Sequence, residues 1–235
     1  MKFSLVTGAS GGIGKEIAKE LGKRGNNLVL VARSKKGLEE FAKELVQEFK
    51  VRVLIISVDL SKEDSAKYIY NWCKENEIQV DCLINNAGAA VFGEFEKLDI
   101  EKQTEIINLN VNSLVKLSRY FISELIKCSK GYILNVASIA AFYPLPYYSV
   151  YGATKAFVLS FTEALRFEMR NYNVNVCCLC PGDTETNFFK NAGNKNSKKN
   201  LMSPKIVAEI AVSGLLNNEA LIRPKYVKNM TLIPR

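Results

Sequence analysis

The 235-residue chain contains no histidine and a single tryptophan. Without an imidazole, proton transfer near neutral pH falls to other side chains whose pKa values are shifted toward it. Histidine-ligated metal sites are excluded by the same absence, and cysteine does not replace them. The six cysteines lie at positions 73, 82, 128, 177, 178 and 180, and only the last three cluster. On a strand Cys177 points opposite to Cys178 and Cys180, and no second pair completes a ligand set. Buried free thiols in a reducing compartment are the expected state, and no metal is expected. No apolar run approaches the ~20 residues of a membrane span. The first residues lack the apolar core of a signal peptide, so the cytoplasm is the expected location and no membrane partner is expected. Acidic residues are the scarcer sign, 24 against 32 basic, for a net charge of +8. That suits an anionic ligand, but the lysines are spread along helical stretches and no nucleic-acid motif accompanies them. A phosphate-bearing ligand is the economical partner, and no nucleic acid is expected.

What is present reads as one domain spanning residues 1–235. The length fits a large α/β unit, and 48% hydrophobic with 24% charged residues is ordinary for a globular protein. A β-rich run at residues 2–6 meets Thr7-Gly8-Ala9-Ser10-Gly11-Gly12-Ile13-Gly14, and a helical pattern follows through Ile17, Ala18 and Leu21. Strand, glycine-rich turn and helix N-terminus together make a cradle for a pyrophosphate. The second strand, 28–32, ends without the acid that would hold a ribose 2′-hydroxyl. Arg33 and Ser34 stand there instead and suit a 2′-phosphate, so NADP is expected over NAD; the alternative is loop cations facing solvent. The third strand, 53–58, ends in Asp59-Leu60. Ser61 and Asp64 read as a capping box, while Asp59 serves either an adenine amino group or a cap.

The fourth strand, 82–84, runs into Asn85-Asn86-Ala87-Gly88. A long helical pattern from Ile106 to Leu125 then carries Asn108, Asn110 and Asn112, and a buried asparagine needs partners, so one of these is expected to line a site. Strand five, 132–137, ends at Ser138. The aromatic, proline-rich loop 142–148 either walls an apolar pocket or packs on another subunit. A helix from about Ser149 sets Tyr151 and Lys155 one turn apart on one face, where an ammonium is expected to lower the phenol's pKa. Its apolar residues run around much of its circumference, which fits a homodimer or homotetramer interface or a deep core position. Strand six, 174–180, precedes Pro181-Gly182-Asp183-Thr184-Glu185-Thr186. The stretch 190–200 reads as mobile, Ser203-Pro204 as a helix start for 205–216, and 220–223 as a seventh strand.

These stations together resemble the short-chain dehydrogenase/reductase family along nearly the whole chain. The matching residues are Thr7-Gly8-x-x-x-Gly12-x-Gly14, Asp59, Asn85-Asn86-Ala87-Gly88, Asn110, Ser138, Tyr151-x-x-x-Lys155, and Pro181-Gly182 with Thr184 and Thr186. The resemblance implies a doubly wound seven-stranded parallel sheet, a Rossmann fold with helices on both faces and strand order 3-2-1-4-5-6-7. It implies catalysis by Asn110, Ser138, Tyr151 and Lys155. Tyr151 would exchange the substrate's proton, Ser138 would polarise the carbonyl, Lys155 would hold the nicotinamide ribose, and Asn110 would hold a relay water. Gly8, Ser10, Gly12, Ile13, Gly14, Arg33, Ser34, Asp59, Leu60, Asn86, Ala87, Gly88, Tyr151, Lys155, Pro181, Gly182, Thr184 and Thr186 would contact NADP. Within the family, the residues around Tyr151 look like a broad bacterial branch of general oxidoreductases, with a substrate loop at about 183–203. The implied reaction is hydride transfer between the nicotinamide and an apolar ketone, aldehyde or secondary alcohol. Reduction of a 3-oxoacyl thioester is the alternative within enzymes, and a non-catalytic NADP-binding sensor or scaffold the alternative outside them.

Overall fold

A computed structural model describes residues 1–194 and 201–224, and residues 195–200 and 225–235 are not described. The strands and helices alternate: β1 (Lys2–Thr7), α1 (Gly12–Lys23), β2 (Asn27–Ala32), α2 (Lys35–Phe49), β3 (Val53–Ser57), α3 (Ser65–Glu75) and β4 (Gln79–Asn85). There follow α4 (Ile100–Ile107), a π-turn (Asn108–Asn112), α5 (Ser113–Lys127), β5 (Gly131–Val136), α6 (Ser149–Glu168), β6 (Val174–Leu179), α7 (Phe188–Asn191), α8 (Pro204–Leu216) and β7 (Leu221–Ile222). Every pairing is parallel, and the order is β3-β2-β1-β4-β5-β6-β7.

The strands are near-continuous apolar runs because both sheet faces are covered. In β2, Leu28, Leu30 and Ala32 enter the core with α1, α2 and α8, whereas Val29 and Val31 join the opposite core under α3 and α5. A buried polar network crosses the second core. Asn85 Nδ2 donates to Ser118 Oγ (3.1 Å) and Asn135 Oδ1 (2.9 Å), and Asn135 Nδ2 donates to Thr162 Oγ1 (3.0 Å). It joins β4, α5, β5 and α6, and so fixes the helix that carries Tyr151 and Lys155 against the sheet.

Three local readings differ from expectation. Ser61 does not cap a helix: Asp59 Oδ1 accepts both its N–H (3.0 Å) and its hydroxyl (2.8 Å), and α3 begins only at Ser65, with no side-chain bond from Asp64. The long helix is interrupted by the π-turn at Asn108–Asn112, a distortion that re-aims Asn110. Of the stretch expected to be mobile, residues 190–191 close α7 and 192–194 are hydrogen-bonded turn, while 195–200 lie outside the described residues. The outer face of α6 is exposed in the single chain, where Phe157 and Phe161 stack at 6.0 Å and Phe167 is uncovered.

Candidate active site

The strand order reverses between β1 and β4, and a crevice opens at the carboxyl ends of the strands there. The residues singled out from the sequence sit just beyond those ends. Gly8 follows β1, Arg33 follows β2, Asp59 follows β3, Asn86 follows β4, Ser138 follows β5 and Pro181 follows β6. They line a cleft of about 650 Å³.

At one end the first turn is stitched to the loop after β4. Thr7 Oγ1 donates to Ile84 O (3.1 Å) and accepts the N–H groups of Asn86 and Ala87 (both 3.0 Å). Asn86 Nδ2 donates to Thr7 O at 2.9 Å. Gly8 (φ +67°) and Gly12 (φ +55°) take left-handed conformations that favour glycine. A Cβ on Gly8 would come 2.7 Å from Asn86 Nδ2. The turn thus presents bare backbone and the uncapped N-terminus of α1 to the cleft, a geometry that fits a pyrophosphate.

Arg33 lines the cleft near Asp59. Burial pushes the Asp59 carboxyl up, but its bonds from Ser61 and the Arg33 and Lys62 charges hold it below its usual range. The Ser34 hydroxyl lines the cleft and also accepts the Gly37 N–H (3.2 Å), capping α2. Ser10, Gly12, Ile13, Leu60, Ala87, Gly88, Gly182, Thr184 and Thr186 line the cleft as well.

Two expected site residues do not reach the cleft wall. Gly14 packs into the turn, where a Cβ would lie 2.3 Å from Asn86 Nδ2 and 2.4 Å from Gly8 O. Asn110 is buried behind Gly88, whose own Cβ would stand 3.3 Å from Asn110 Oδ1 and 3.4 Å from Lys155 Nζ. The Asn110 amide is engaged on three sides: Oδ1 accepts Ala89 N–H (2.9 Å), and Nδ2 donates to Ala89 O and Thr154 Oγ1 (both 3.0 Å).

At the other end Ser138 Oγ accepts the Ala140 N–H (3.1 Å), which leaves its own hydrogen to donate. Lys155 Nζ donates to Val136 O (2.8 Å) and lies 5.8 Å from the centre of the Tyr151 ring. The expected lowering of the tyrosine pKa is overturned. Burial pushes Tyr151 up to about 12, against the pull of its bond to Ser138. Burial also lowers Lys155 to about 8.

Aromatic rings close this end. Phe188 stands 5.3 Å from the Tyr151 ring, Tyr148 6.0 Å from it, and Phe92 5.1 Å from Tyr148. Phe92 N–H to Ala192 O (2.9 Å) and Asn194 Nδ2 to the Tyr148 hydroxyl (3.1 Å) tie the wall to the chain after α7. Of loop 142–148, Tyr143, Leu145 and Tyr148 face the cleft. Phe92 in the wall, Thr154 beside Asn110, and Asp183 within the run after β6 had no assigned role at the level of sequence.

The six cysteines are buried and free, with Cys178 Sγ at the end of β6 3.9 Å from Cys180 Sγ just beyond it. Among the described residues no cluster of histidine, cysteine and acidic groups could hold a metal, and no helix is long and apolar enough to cross a membrane.

The family model for short chain dehydrogenases matches residues 2–197. An oxidoreductase of Staphylococcus epidermidis is 30% identical over 227 residues, 95% of this chain and 97% of that protein. The very-long-chain 3-oxoacyl-CoA reductase of Rattus norvegicus is 35% identical over 196 residues, 80% of this chain; the match spans 61% of that reductase. A short-chain dehydrogenase from Sphingobium yanoikuyae, solved in complex with NADPH, superposes with a TM-score of 0.90 at 32% identity, covering 96% of this chain and 88% of that one. The bulky-bulky ketone specific alcohol dehydrogenase of Comamonas testosteroni superposes with a TM-score of 0.85 at 29% identity, covering 96% and 86%.

Proposed function

The chain belongs to the short-chain dehydrogenase family of oxidoreductases, and on that premise we propose that it is an NADPH-dependent reductase of apolar ketones and aldehydes. The observation that carries the reading is the meeting of the Ser138 and Tyr151 hydroxyls, with Lys155 behind them, at the aromatic end of a cleft whose other end is a phosphate cradle.

When bound, NADPH supplies the hydride. Tyr151, held protonated by burial, gives its phenolic proton to the substrate oxygen as that oxygen gains negative charge. Ser138, oriented by the Ala140 N–H, donates its own hydrogen to the same oxygen and polarises the carbonyl. Lys155 offers an ammonium to the ribose hydroxyls and returns a proton toward Tyr151. Asn110 braces Ala89 and Thr154, and behind Gly88 it would hold the relay water that serves Lys155. Gly8, Gly12 and the N-terminus of α1 would receive the pyrophosphate, Asp59 and Leu60 the adenine, and Arg33 with Ser34 the 2′-phosphate. Asn86, Ala87 and Gly88, with the run from Pro181 to Thr186, line the part of the cleft that would hold the nicotinamide.

The aromatic wall supports an apolar substrate, and the Comamonas neighbour's ketone preference agrees with it. Reduction of a 3-oxoacyl thioester is the second reading, supported by the rat relative and by the net charge of +8, which suits an acidic carrier. The exposed aromatic face of α6 supports a homodimer or homotetramer. NADPH and NADH oxidation followed side by side on a panel of ketones, aldehydes and acetoacetyl thioesters tests the reading. Turnover of simple ketones with NADPH is expected. Turnover confined to thioesters moves the assignment to the second reading, and a preference for NADH overturns the role of Arg33.

A further inference from the structure

A second cavity, of about 260 Å³, lies over the amino-terminal halves of β1, β4 and β5, at the opposite end of the sheet from the cleft. Its volume is just under the ~300 Å³ at which pockets for small molecules begin, so it has room for a compact ligand. Its floor is a row of side chains on one face of the sheet. Ser4 pairs in register with Cys82, and Cys82 with Tyr132, so hydroxyl, thiol and phenol stand side by side. Leu21 of α1 and Leu215 and Leu216 of α8 cover them, and Arg24, Asn26 and Asp81 complete the lining. Asp81 sits in a bulge: Phe3 pairs with Val80 and Ser4 with Cys82, which leaves the residue between without a partner in β1.

One group in this cavity is left unanswered. The Ser4 hydroxyl is fully buried and makes no hydrogen bond, a costly state for a polar atom. Its neighbour in the row, the Cys82 thiol, is a weak partner, and burial keeps it protonated by pushing it up to about 12. Charges at the rim come in opposite pairs. Arg24 is held by Glu20, with Nε donating to Oε1 at 3.0 Å and Nη2 2.8 Å from the same oxygen. Burial raises the Asp81 carboxyl, and the charge of Lys2 works against that rise. The rim therefore offers no net charge to an ion, and the leucine roof penalises one. A ligand hydroxyl, in contrast, can accept the Ser4 hydrogen or donate to its oxygen. We propose that this cavity is a second binding site, which takes a small uncharged alcohol or phenol, with its hydroxyl on Ser4 Oγ and its apolar body under Leu21 and Leu215. The site stands apart from the cleft, whatever reaction the cleft performs.

The test follows the leucine methyl groups of the full chain, labelled with carbon-13, by NMR during titration with benzyl alcohol, toluene, benzylamine and benzoate at pH 7. Leu21 and Leu215 report on the cavity, and Leu145 reports on the cleft. Benzyl alcohol is expected to shift the Leu21 and Leu215 signals saturably, with a dissociation constant of about 0.1–1 mM for a ligand of this size. Toluene, which has the same ring without the hydroxyl, is expected to bind about fivefold more weakly. Benzylamine and benzoate are expected to bind at least about tenfold more weakly than the alcohol. Ser4→Ala is expected to erase or reverse the preference for benzyl alcohol over toluene while toluene still binds. The four-compound series in the wild type keeps the proposal testable if that variant folds poorly. Shifts confined to Leu145, or no saturable shift at Leu21 and Leu215 up to about 10 mM, as a cavity filled only by water would give, overturn the proposal. Toluene or either ion binding as tightly as benzyl alcohol, or a preference for the hydroxyl that Ser4→Ala leaves intact, overturns it as well.

Discussion

Replacing Lys155 by methionine is expected to stabilise the cofactor-free fold at pH 7 while ending turnover. Methionine keeps most of the stem's volume and carries no charge. Burial lowers the Lys155 pKa from 10.5 to about 8. At about 1.4 kcal/mol per pH unit, burying the ammonium costs about 3 kcal/mol. The lost bond to Val136 O (2.8 Å) offsets about 1–2 kcal/mol of that relief, which leaves a net gain of about 1–2 kcal/mol. The gain depends on pH in a defined direction. Below pH 8 the folded and unfolded wild type both hold the proton, so the full penalty is present. Between pH 8 and 10.5 the unfolded chain binds more protons than the folded one, and wild-type stability climbs. By pH 10 the advantage of the methionine variant is expected to vanish or reverse. The buried phenol of Tyr151, pushed up to about 12, makes the fold lose stability above pH 10, but it is common to both chains and cancels in the difference. Urea denaturation of both proteins at pH 7 and pH 10 measures this. A variant less stable than wild type at pH 7, or a difference that does not change with pH, refutes the reasoning.

Other substitutions probe the remaining parts. Gly14→Ala, whose Cβ would sit 2.3 Å from Asn86 Nδ2 and 2.4 Å from Gly8 O, is expected to cost at least about 2 kcal/mol in thermal unfolding. Asn135→Ala strips partners from Asn85 and Thr162 in a fully buried network, and is expected to cost about 2–4 kcal/mol in a urea melt. Arg33→Ala is expected to weaken NADPH by about tenfold or more, with NADH changed by less than about threefold, in titrations of cofactor fluorescence.

The chemistry legible in the sequence lay at the ends of strands. A glycine-rich turn, an arginine, an aspartate, an Asn-Asn-Ala-Gly run, a serine and a Pro-Gly pair each follow an apolar run, and local pattern alone orders them. Properties set by distant residues were not legible in the same way. The phenol of Tyr151 looked tuned downward by a neighbour one turn away, yet its depth behind Tyr148 and Phe188 pushes it up. Ser61 looked like a helix cap because the spacing to Asp64 suits one, but Asp59 captures its hydroxyl first. The place of Asp183 depends on how the chain near Met202 folds back, which no spacing reveals. The π-turn that buries Asn110 left only three alternating asparagines as its trace.

The central claim is a hydride delivered to a carbonyl carbon with the proton supplied by Tyr151. The most direct test incubates wild type and Tyr151→Phe with 4-methylacetophenone and NADPH carrying deuterium at both C4 positions, and analyses the alcohol by mass spectrometry. One deuterium on the carbinol carbon is expected from the wild type. In Tyr151→Phe that transfer is expected to slow by about 10²–10⁴-fold while NADPH still binds. A wild type that binds NADPH but transfers no deuterium to any ketone on the panel, or a Tyr151→Phe variant that transfers it at the wild-type rate, contradicts the account.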